Sequence, residues 1–161
     1  MFKKILVANR GEIAVRIIRA CKELNIKTVA IHSNVDTEAM HVKLADESIC
    51  VGSALPNESY LNIPSIISAI DITGADAVHP GYGFLSENDK FAKILSSHKV
   101  KFIGPTSKSI LELGNKSNAL KLASDFKLPI LGNKNSKNLD NTSDAQKIAK
   151  EIGMPVVIKA A

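Results

Sequence analysis

One ten-residue stretch of the sequence concentrates side chains that could contact a ligand. Residues 79–88 read HPGYGFLSEN, so two glycines and a proline tighten the chain around a tyrosine, a serine, a glutamate and an asparagine. An apolar run ends before this stretch at Val78, and a helical pattern follows it from Phe91. In an open α/β sheet, ligands bind at the loops that follow the carboxyl ends of the strands. The stretch therefore predicts a binding loop.

Part of this loop has a purely structural explanation. Ser86 or Asn88 fits the N-cap of the following helix, because short polar side chains accept hydrogen bonds from the first free backbone amides. His79 carries an imidazole that could transfer a proton, but a single histidine at a strand end is more often structural. We therefore predict no catalytic role for His79. Tyr82 and Gly83 are left without a structural explanation.

Two lysines lie where an anion would stabilise them. Lys116 falls in the first turn of a predicted helix, where a cation opposes the helix dipole at a cost of about 0.3 to 1 kcal/mol. A bound phosphate would offset this cost. Lys159 follows the apolar run 156–158, so its ammonium is either released to solvent or held in a cleft by an anion. The residues alone leave both possibilities open for each lysine.

Short apolar runs alternate with helical patterns along the chain. Strands are predicted near residues 4–8, 27–31, 48–51, 75–78, 100–103 and 156–158, and helices near 12–24, 64–73, 88–97, 107–113, 116–126 and 143–152. Residues 132–138 are polar and predict a surface loop. Apolar strands joined by helices predict an α/β fold with an open, mostly parallel sheet and helices on both faces.

The first predicted helix has two distinct faces. Arg19 and Glu23, four residues apart, could form a surface pair or meet another subunit, and their spacing does not decide between these. The apolar face, which should pack on the sheet, consists of Ile13, Ile17, Cys21 and Leu24. Asn9 and Arg10, just before the helix, could satisfy backbone groups at its start or contact a ligand.

Composition disfavours several classes of protein. The formal charge of +5 favours anionic ligands such as nucleotides or bicarbonate, but dispersed lysines, two tyrosines, five phenylalanines and no tryptophan disfavour nucleic-acid binding. No apolar run approaches the roughly 18 residues that span a bilayer. The strand pattern begins at Lys3, leaves no room for a targeting peptide and predicts a cytoplasmic protein.

Gly11 is a single glycine where a dinucleotide fingerprint has three, which disfavours NAD binding. Cys21 and Cys50 predict buried thiols, not a disulfide or zinc site.

Two motifs together resemble biotin carboxylase, the ATP-dependent component of acetyl-CoA carboxylase and its relatives. These motifs are ANRGEIA at residues 8–14 and the stretch at 79–88. The resemblance implies a Rossmann-like pre-ATP-grasp domain over residues 1–113, followed by the truncated start of an ATP-grasp domain over residues 114–161. It implies ATP and Mg as cofactors, bicarbonate as co-substrate and biotin as the substrate carried by another protein.

The resemblance also implies roles for individual residues. Residues expected beside the biotin site are Tyr82, Gly83 and, as a weaker polar candidate, Glu87; those expected to bind ATP are Lys116 and Lys159; those expected in a homodimer interface are Arg19 and Glu23. The family commonly has Asp where this chain has Asn115, which weakens local charge pairing but leaves the neighbouring lysine intact. No catalytic residue or metal ligand of the family is expected within this chain.

The resemblance predicts an ATP-dependent ligase that performs the first half-reaction of acetyl-CoA carboxylase in fatty acid synthesis. Its partners would be the biotin carboxyl carrier protein and the carboxyltransferase subunits. The 161-residue chain alone should be inactive, because two lysines without metal ligands and a covering loop give little charge neutralisation for phosphoryl transfer. The alternatives are the amino-terminal segment of a pyruvate or propionyl-CoA carboxylase, and a non-catalytic α/β binding or dimerisation module.

Overall fold

Five short strands form one parallel sheet in the part of the chain that the structure describes. The structure, a computed structural model, describes residues 1–129 and 142–157. The strands are β1 (Lys4–Val7), β2 (Lys27–Ser33), β3 (Glu47–Gly52), β4 (Ala77–His79) and β5 (Lys101–Phe102), in the spatial order β3-β2-β1-β4-β5 with every neighbouring pair parallel. This confirms the predicted parallel α/β fold. The strand order reverses between β1 and β4, so a crevice is expected at the carboxyl ends of these two strands.

Seven α-helices are found in the described part of the chain. They are α1 (Gly11–Glu23), α2 (Met40–Leu44), α3 (Ile63–Thr73), α4 (Asp89–Ser97), α5 (Ser107–Gly114), α6 (Lys116–Asp125) and α7 (Thr142–Ile152). All six predicted helices are present. The sequence patterns missed α2 and a short 3-10 helix at Pro56–Glu58, because neither is long enough to repeat an apolar face.

The core lies on both faces of the sheet. Ile5 and Val7 pack with Ile18 and its neighbours from α1, whereas Leu6 belongs to the cluster that contains Phe91 and other residues of α3 and α4. This alternation along β1 follows from the pleat of a strand, in which successive side chains point to opposite faces. The prediction of helices on both faces is therefore confirmed.

Two predicted burials are wrong. Leu24 is 56% exposed because α1 ends at Glu23 and the leucine lies beyond the face that packs on the sheet. Cys50 is exposed, whereas Cys21 is buried as predicted. Cys50 lies on the edge strand β3, and within the described residues the apolar cluster packed under α1 takes no residue from that strand.

The chain divides into two compact units, Met1–Ile110 and Leu111–Ala161. The first contains the sheet, and the second contains α6 and α7. Val156 and Val157 lie in no strand, in contrast to the prediction for residues 156–158, because no strand of the described chain pairs with them. Ile158 and the predicted loop at residues 132–138 lie outside the described residues.

One carboxylate secures the start of β2. Asp46 accepts hydrogen bonds at 2.9 Å from both the backbone amide and the hydroxyl of Thr28, and it pairs with the Lys27 ammonium at 2.8 Å. The hydrogen bond from Lys27, supported by those from Thr28, lowers the pKa of Asp46 to about 2. In the unfolded chain, the Asp46 carboxyl takes up its proton near pH 4. The stability that Asp46 contributes is thus present above about pH 4 and is lost as the pH falls toward 2.

We expect Asp46→Asn to reduce the free energy of unfolding at pH 7 by about 1 to 2 kcal/mol, and by much less near pH 2. Urea unfolding at both pH values measures this difference. The control is Glu38→Gln, which removes an exposed ion pair with Lys43 at 2.9 Å and should cost under about 1 kcal/mol. Equal losses for Asp46→Asn at the two pH values would contradict the prediction.

Candidate functional site

A buried asparagine joins the carboxyl ends of β1 and β4. Asn9 lies two residues after β1 and is 1% exposed. Its Nδ2 donates hydrogen bonds to the carbonyl oxygens of Pro80 at 2.7 Å and Tyr82 at 3.0 Å, and its Oδ1 accepts one from the backbone amide of Arg10 at 2.9 Å. The loop after β4 is therefore attached to the end of β1, at the crevice where the strand order reverses.

The loop has a tightly turned backbone. Gly81, Gly83 and Phe84 have φ angles of 64°, 72° and 44°. The backbone amide of Gly81 donates a hydrogen bond to Nδ1 of His79 at 3.0 Å. Burial lowers the pKa of His79, which favours the neutral ring that such an acceptor requires. His79 thus has a clear structural task in shaping the loop.

An aromatic stack supports the far end of the turn. The ring of Phe84 stacks on Tyr60 with centroids 5.2 Å apart and planes 20° apart. Tyr60 is fully buried, and its hydroxyl donates to Oδ2 of Asp36 at 2.6 Å and accepts from the backbone amide of Ser33 at 3.0 Å. The Arg10 guanidinium lies 5.3 Å from the Tyr60 ring centroid and 5.6 Å from that of Phe84.

The hydrogen bond between Tyr60 and Asp36 helps to set the protonation states of both side chains. Burial, together with the hydrogen bond to Asp36, raises the pKa of Tyr60 to about 12. The same hydrogen bond lowers the pKa of Asp36, which Arg10 also approaches at 3.8 Å. At neutral pH the tyrosine is therefore protonated and donates to an ionised aspartate, so the ring beneath Phe84 is held in one orientation.

The predicted ligand residues of the loop face outward. Tyr82 is 59% exposed, and Gly83 and Glu87 are also exposed, whereas Leu85 between them is buried. Asn88 accepts a hydrogen bond at 2.8 Å from the backbone amide of Phe91 and caps α4. The capping prediction is therefore confirmed for Asn88, and the loop leaves Tyr82, Gly83 and Glu87 free to meet a ligand.

A largely apolar groove of about 540 Å³ runs beside this loop. His79, Gly81 and Tyr82 form one part of its wall, and α1 supplies Arg16 and Ile17 among others. The exposed side of Tyr82 thus borders an apolar surface as well as solvent.

The remaining predicted site residues lie elsewhere. Arg19 and Glu23 are both exposed on α1, and in the described part of the chain they form no ion pair with each other. Lys116 is exposed and begins α6, where Asn115 accepts a hydrogen bond from the backbone amide of Asn118 at 3.1 Å. The predicted place of Lys116 in the first turn of a helix is confirmed. Lys159 lies outside the described residues.

Metal-binding clusters and membrane-spanning helices are both absent from the described ranges. Residues 1–129 and 142–157 hold no group of three or more histidine, cysteine, aspartate or glutamate side chains that could bind a metal ion. No helix in the same ranges is long and apolar enough to cross a membrane.

Sequence patterns missed the contacts that hold the loop. The sequence suggested that Asn9 either satisfies backbone groups at the start of its own helix or contacts a ligand, whereas its amide reaches 71 and 73 residues along the chain to Pro80 and Tyr82. Tyr60 was not singled out at all. A polar side chain directly after a buried central strand was the available signal for Asn9, because a buried amide must find partners.

The fold and the loop define a class of protein: a Rossmann-like parallel α/β domain with a candidate ligand loop at the point where the strand order reverses. The model of the family described as "Biotin carboxylase, N-terminal domain" matches residues 1–110. The chain therefore belongs to the biotin carboxylase N-terminal domain family.

Individual proteins agree with this family. The chain is 50% identical over 161 residues to a biotin carboxylase of Haemophilus influenzae, covering all of this chain and 36% of that protein. It is 51% identical over 160 residues to the propionyl-CoA carboxylase alpha chain of Rattus norvegicus, covering 99% of this chain and 22% of that one. The chain thus spans about a third or less of the length of these curated relatives.

A solved structure extends the comparison to the fold. The biotin carboxylase domain dimer of the Hydrogenobacter thermophilus 2-oxoglutarate carboxylase, in complex with MgADP, ADP and bicarbonate, has a TM-score of 0.87 and 46% identity. The match covers 96% of this chain and 34% of that one. The likeness therefore extends from the sequence to the fold.

We expect Tyr60→Phe to raise the pKa of Asp36 toward its ordinary value, because the Tyr60 hydroxyl is the main group that lowers it. Loss of an acceptor for the buried Ser33 amide should also reduce the free energy of unfolding by about 1 to 3 kcal/mol. An NMR pH titration of the Asp36 carboxyl and urea unfolding measure the two effects. Tyr82→Phe, which removes an exposed hydroxyl, is the control. An Asp36 pKa that is unchanged in Tyr60→Phe would contradict the described network.

Proposed function

We propose that this chain is the amino-terminal part of a biotin carboxylase, an ATP-dependent ligase that carboxylates carrier-bound biotin with bicarbonate. The observation that carries the proposal is the exposed loop at residues 79–88, held at the crevice of the sheet in a chain 50% identical along its whole length to a biotin carboxylase. Residues 1–113 would form the pre-ATP-grasp domain and residues 114–161 the start of the ATP-grasp domain. The complete reaction would belong to the longer protein.

Within this enzyme the loop would contact biotin. The phenol of Tyr82 and the backbone of Gly83 are exposed beside an apolar groove, which suits a ligand with a polar ureido ring on an apolar frame. Glu87 is a further polar candidate on the same loop. These residues would orient biotin, and His79 would shape the loop, because Nδ1 of its ring accepts a hydrogen bond from the Gly81 amide.

Phosphate groups of ATP would be bound by lysines. Lys116 is exposed at the first turn of α6 and can reach an anion. Lys159 is proposed as a second ATP ligand from the sequence alone. Magnesium ions neutralise phosphate charge in such reactions, but the described residues hold no cluster of metal ligands. As the family resemblance implies, the metal ligands would come from other residues of the full enzyme, and the 161-residue chain alone should be inactive.

Among the carboxylases that share this segment, we propose the biotin carboxylase component of a cytoplasmic acetyl-CoA carboxylase, which acts in fatty acid synthesis. Its partners would be the biotin carboxyl carrier protein and the carboxyltransferase subunits. The similarity to a propionyl-CoA carboxylase alpha chain keeps that enzyme as a second candidate. Assaying the full gene product with carboxyltransferase and either acetyl-CoA or propionyl-CoA distinguishes them, and a preference for propionyl-CoA would overturn the first choice.

We also propose that the enzyme is a homodimer that uses the exposed face of α1. Arg19 and Glu23 form no ion pair with each other in the described chain and are available to opposite charges on a partner. The similar Hydrogenobacter thermophilus domain is described as a dimer, which supports the proposal.

The catalytic proposal is tested by phosphate release from Mg-ATP that depends on both biotin and bicarbonate. We expect activity from the full product of the gene and none from the 161-residue chain. Lys116→Ala in the full product should raise the KM for ATP at least about tenfold, since a charge-assisted hydrogen bond contributes about 1.5 to 3 kcal/mol. Lys159→Ala should do the same.

The matched control for Lys116 is Lys121→Ala, an exposed lysine on the same helix, which should leave the KM for ATP unchanged. A well-folded full product without biotin-dependent activity would overturn the catalytic proposal and favour a non-catalytic binding module. Equal effects of the two substitutions on α6 would overturn the ATP role of Lys116.

For the dimer, we expect Arg19→Glu to shift the full product toward monomer, because the reversed charge would meet the acidic partner group that Arg19 binds. Sedimentation velocity across a concentration series measures the shift. Lys22→Glu, an exposed neighbour on the same helix, provides the charge-matched control. Dimerisation that is equally strong in Arg19→Glu and the wild type would exclude this part of α1 from the interface.

A further inference from the structure

We propose that Asn9 is a positioning residue that sets the orientation of the Tyr82–Gly83 peptide for biotin. This inference rests on the proposed function of the loop and adds a residue outside it. Asn9 is almost completely buried, and its two hydrogen bonds to the loop go to backbone carbonyl oxygens. It would therefore act on the ligand through the loop's geometry.

Every polar atom of the Asn9 side chain is engaged. The amide nitrogen uses its two hydrogens for the carbonyl oxygens of Pro80 and Tyr82, and the amide oxygen accepts from the Arg10 amide. Aspartate has nearly the same shape, but its ionised form offers no donor and would place an oxygen opposite two carbonyl oxygens. The site thus requires a carboxamide and not merely a polar group of this size.

The bond to the Tyr82 carbonyl also determines where the next amide points. In a planar trans peptide the N–H lies opposite the C=O. Because the Tyr82 oxygen points inward to Asn9, the N–H of Gly83 points away from it. In the described part of the chain this amide donates no hydrogen bond, and Gly83 is exposed. A free donor is therefore presented to an acceptor on the ligand, such as a ureido oxygen.

Close packing keeps the segment in this orientation. A side-chain carbon added at Gly81 would lie 2.8 Å from Nδ2 of Asn9 and 2.6 Å from Cγ2 of Ile13, so the backbone approaches the asparagine as closely as a glycine allows. On the other side, the stack of Phe84 on Tyr60 restrains the end of the turn. Loss of the Asn9 donors should therefore loosen residues 80–83 without unfolding the domain.

The chain offers a matched control at the opposite end of the sheet. Asp76 accepts hydrogen bonds from the backbone amides of Lys3 and Lys4, each at 2.9 Å. Like Asn9, it makes two long-range bonds from a short side chain to the backbone, beside β1. Asn9→Asp and Asp76→Asn both keep nearly the same side-chain shape. The first places a carboxylate oxygen opposite carbonyl oxygens, and the second places an amide N–H opposite a backbone N–H. Only the first concerns the loop.

The test uses the full gene product. We expect Asn9→Asp to raise the KM for biotin at least about tenfold, which is about 1.4 kcal/mol, while the KM for ATP changes less than about twofold. Asp76→Asn should leave both constants within about twofold of the wild type. Hydrogen–deuterium exchange should show faster exchange at the amides of Gly81 and Ser86, which are bonded within the loop, in Asn9→Asp only.

Unchanged exchange in the loop of Asn9→Asp would overturn the positioning role, whatever the enzyme does. Faster exchange with an unchanged KM for biotin, or an equal rise in Asp76→Asn, would overturn its link to biotin. A wild-type product that lacks biotin-dependent turnover would instead overturn the proposed function. Faster exchange in Asn9→Asp would then still support the positioning of the loop by Asn9.

Discussion

The burial of one carboxamide beside the central strand is the constraint on which the candidate site depends. β1 is the middle strand of the sheet and its side chains pack on both faces, and Asn9, just beyond this strand, has almost no access to water. A buried amide must find partners for its donors, because unsatisfied polar groups cost about 1 to 3 kcal/mol. It finds them in the loop after β4. The requirement to satisfy Asn9 thus attaches the backbone of a distant loop to the sheet.

The second support of the loop is aromatic and electrostatic. Tyr60 carries Phe84 on its face and is itself oriented by Asp36 and the Ser33 amide. Arg10 lies over both rings and near the aspartate. Residues adjacent to β1, β2 and α3 therefore converge on one turn. This arrangement explains how a backbone with positive φ angles at three of the four residues 81–84 can remain in one conformation while Tyr82 and Gly83 stay exposed.

Local patterns were sufficient for the sheet and for most helices. Apolar runs predicted the five strands of the sheet, Gly74 ends α3 in a left-handed conformation, and Asn88 caps α4, since each depends on residues close in sequence. The exposure of Cys50 depends on which strand is at the edge, and the contact of Asn9 with the loop joins residues more than 70 positions apart. Neither follows from periodicity. The roles of Tyr82, Gly83 and Lys116 came from a family resemblance, and their chemistry remains a proposal.

The central claim is that the outer surface of this loop binds biotin. A crystal structure of the full gene product with biotin, bicarbonate and MgADP tests it most directly. The structure should place the ureido ring in contact with Tyr82 and within hydrogen-bonding distance of the Gly83 amide, with the Tyr82 carbonyl still bonded to Asn9. Biotin bound away from residues 79–88, with this loop open to solvent, would contradict the claim.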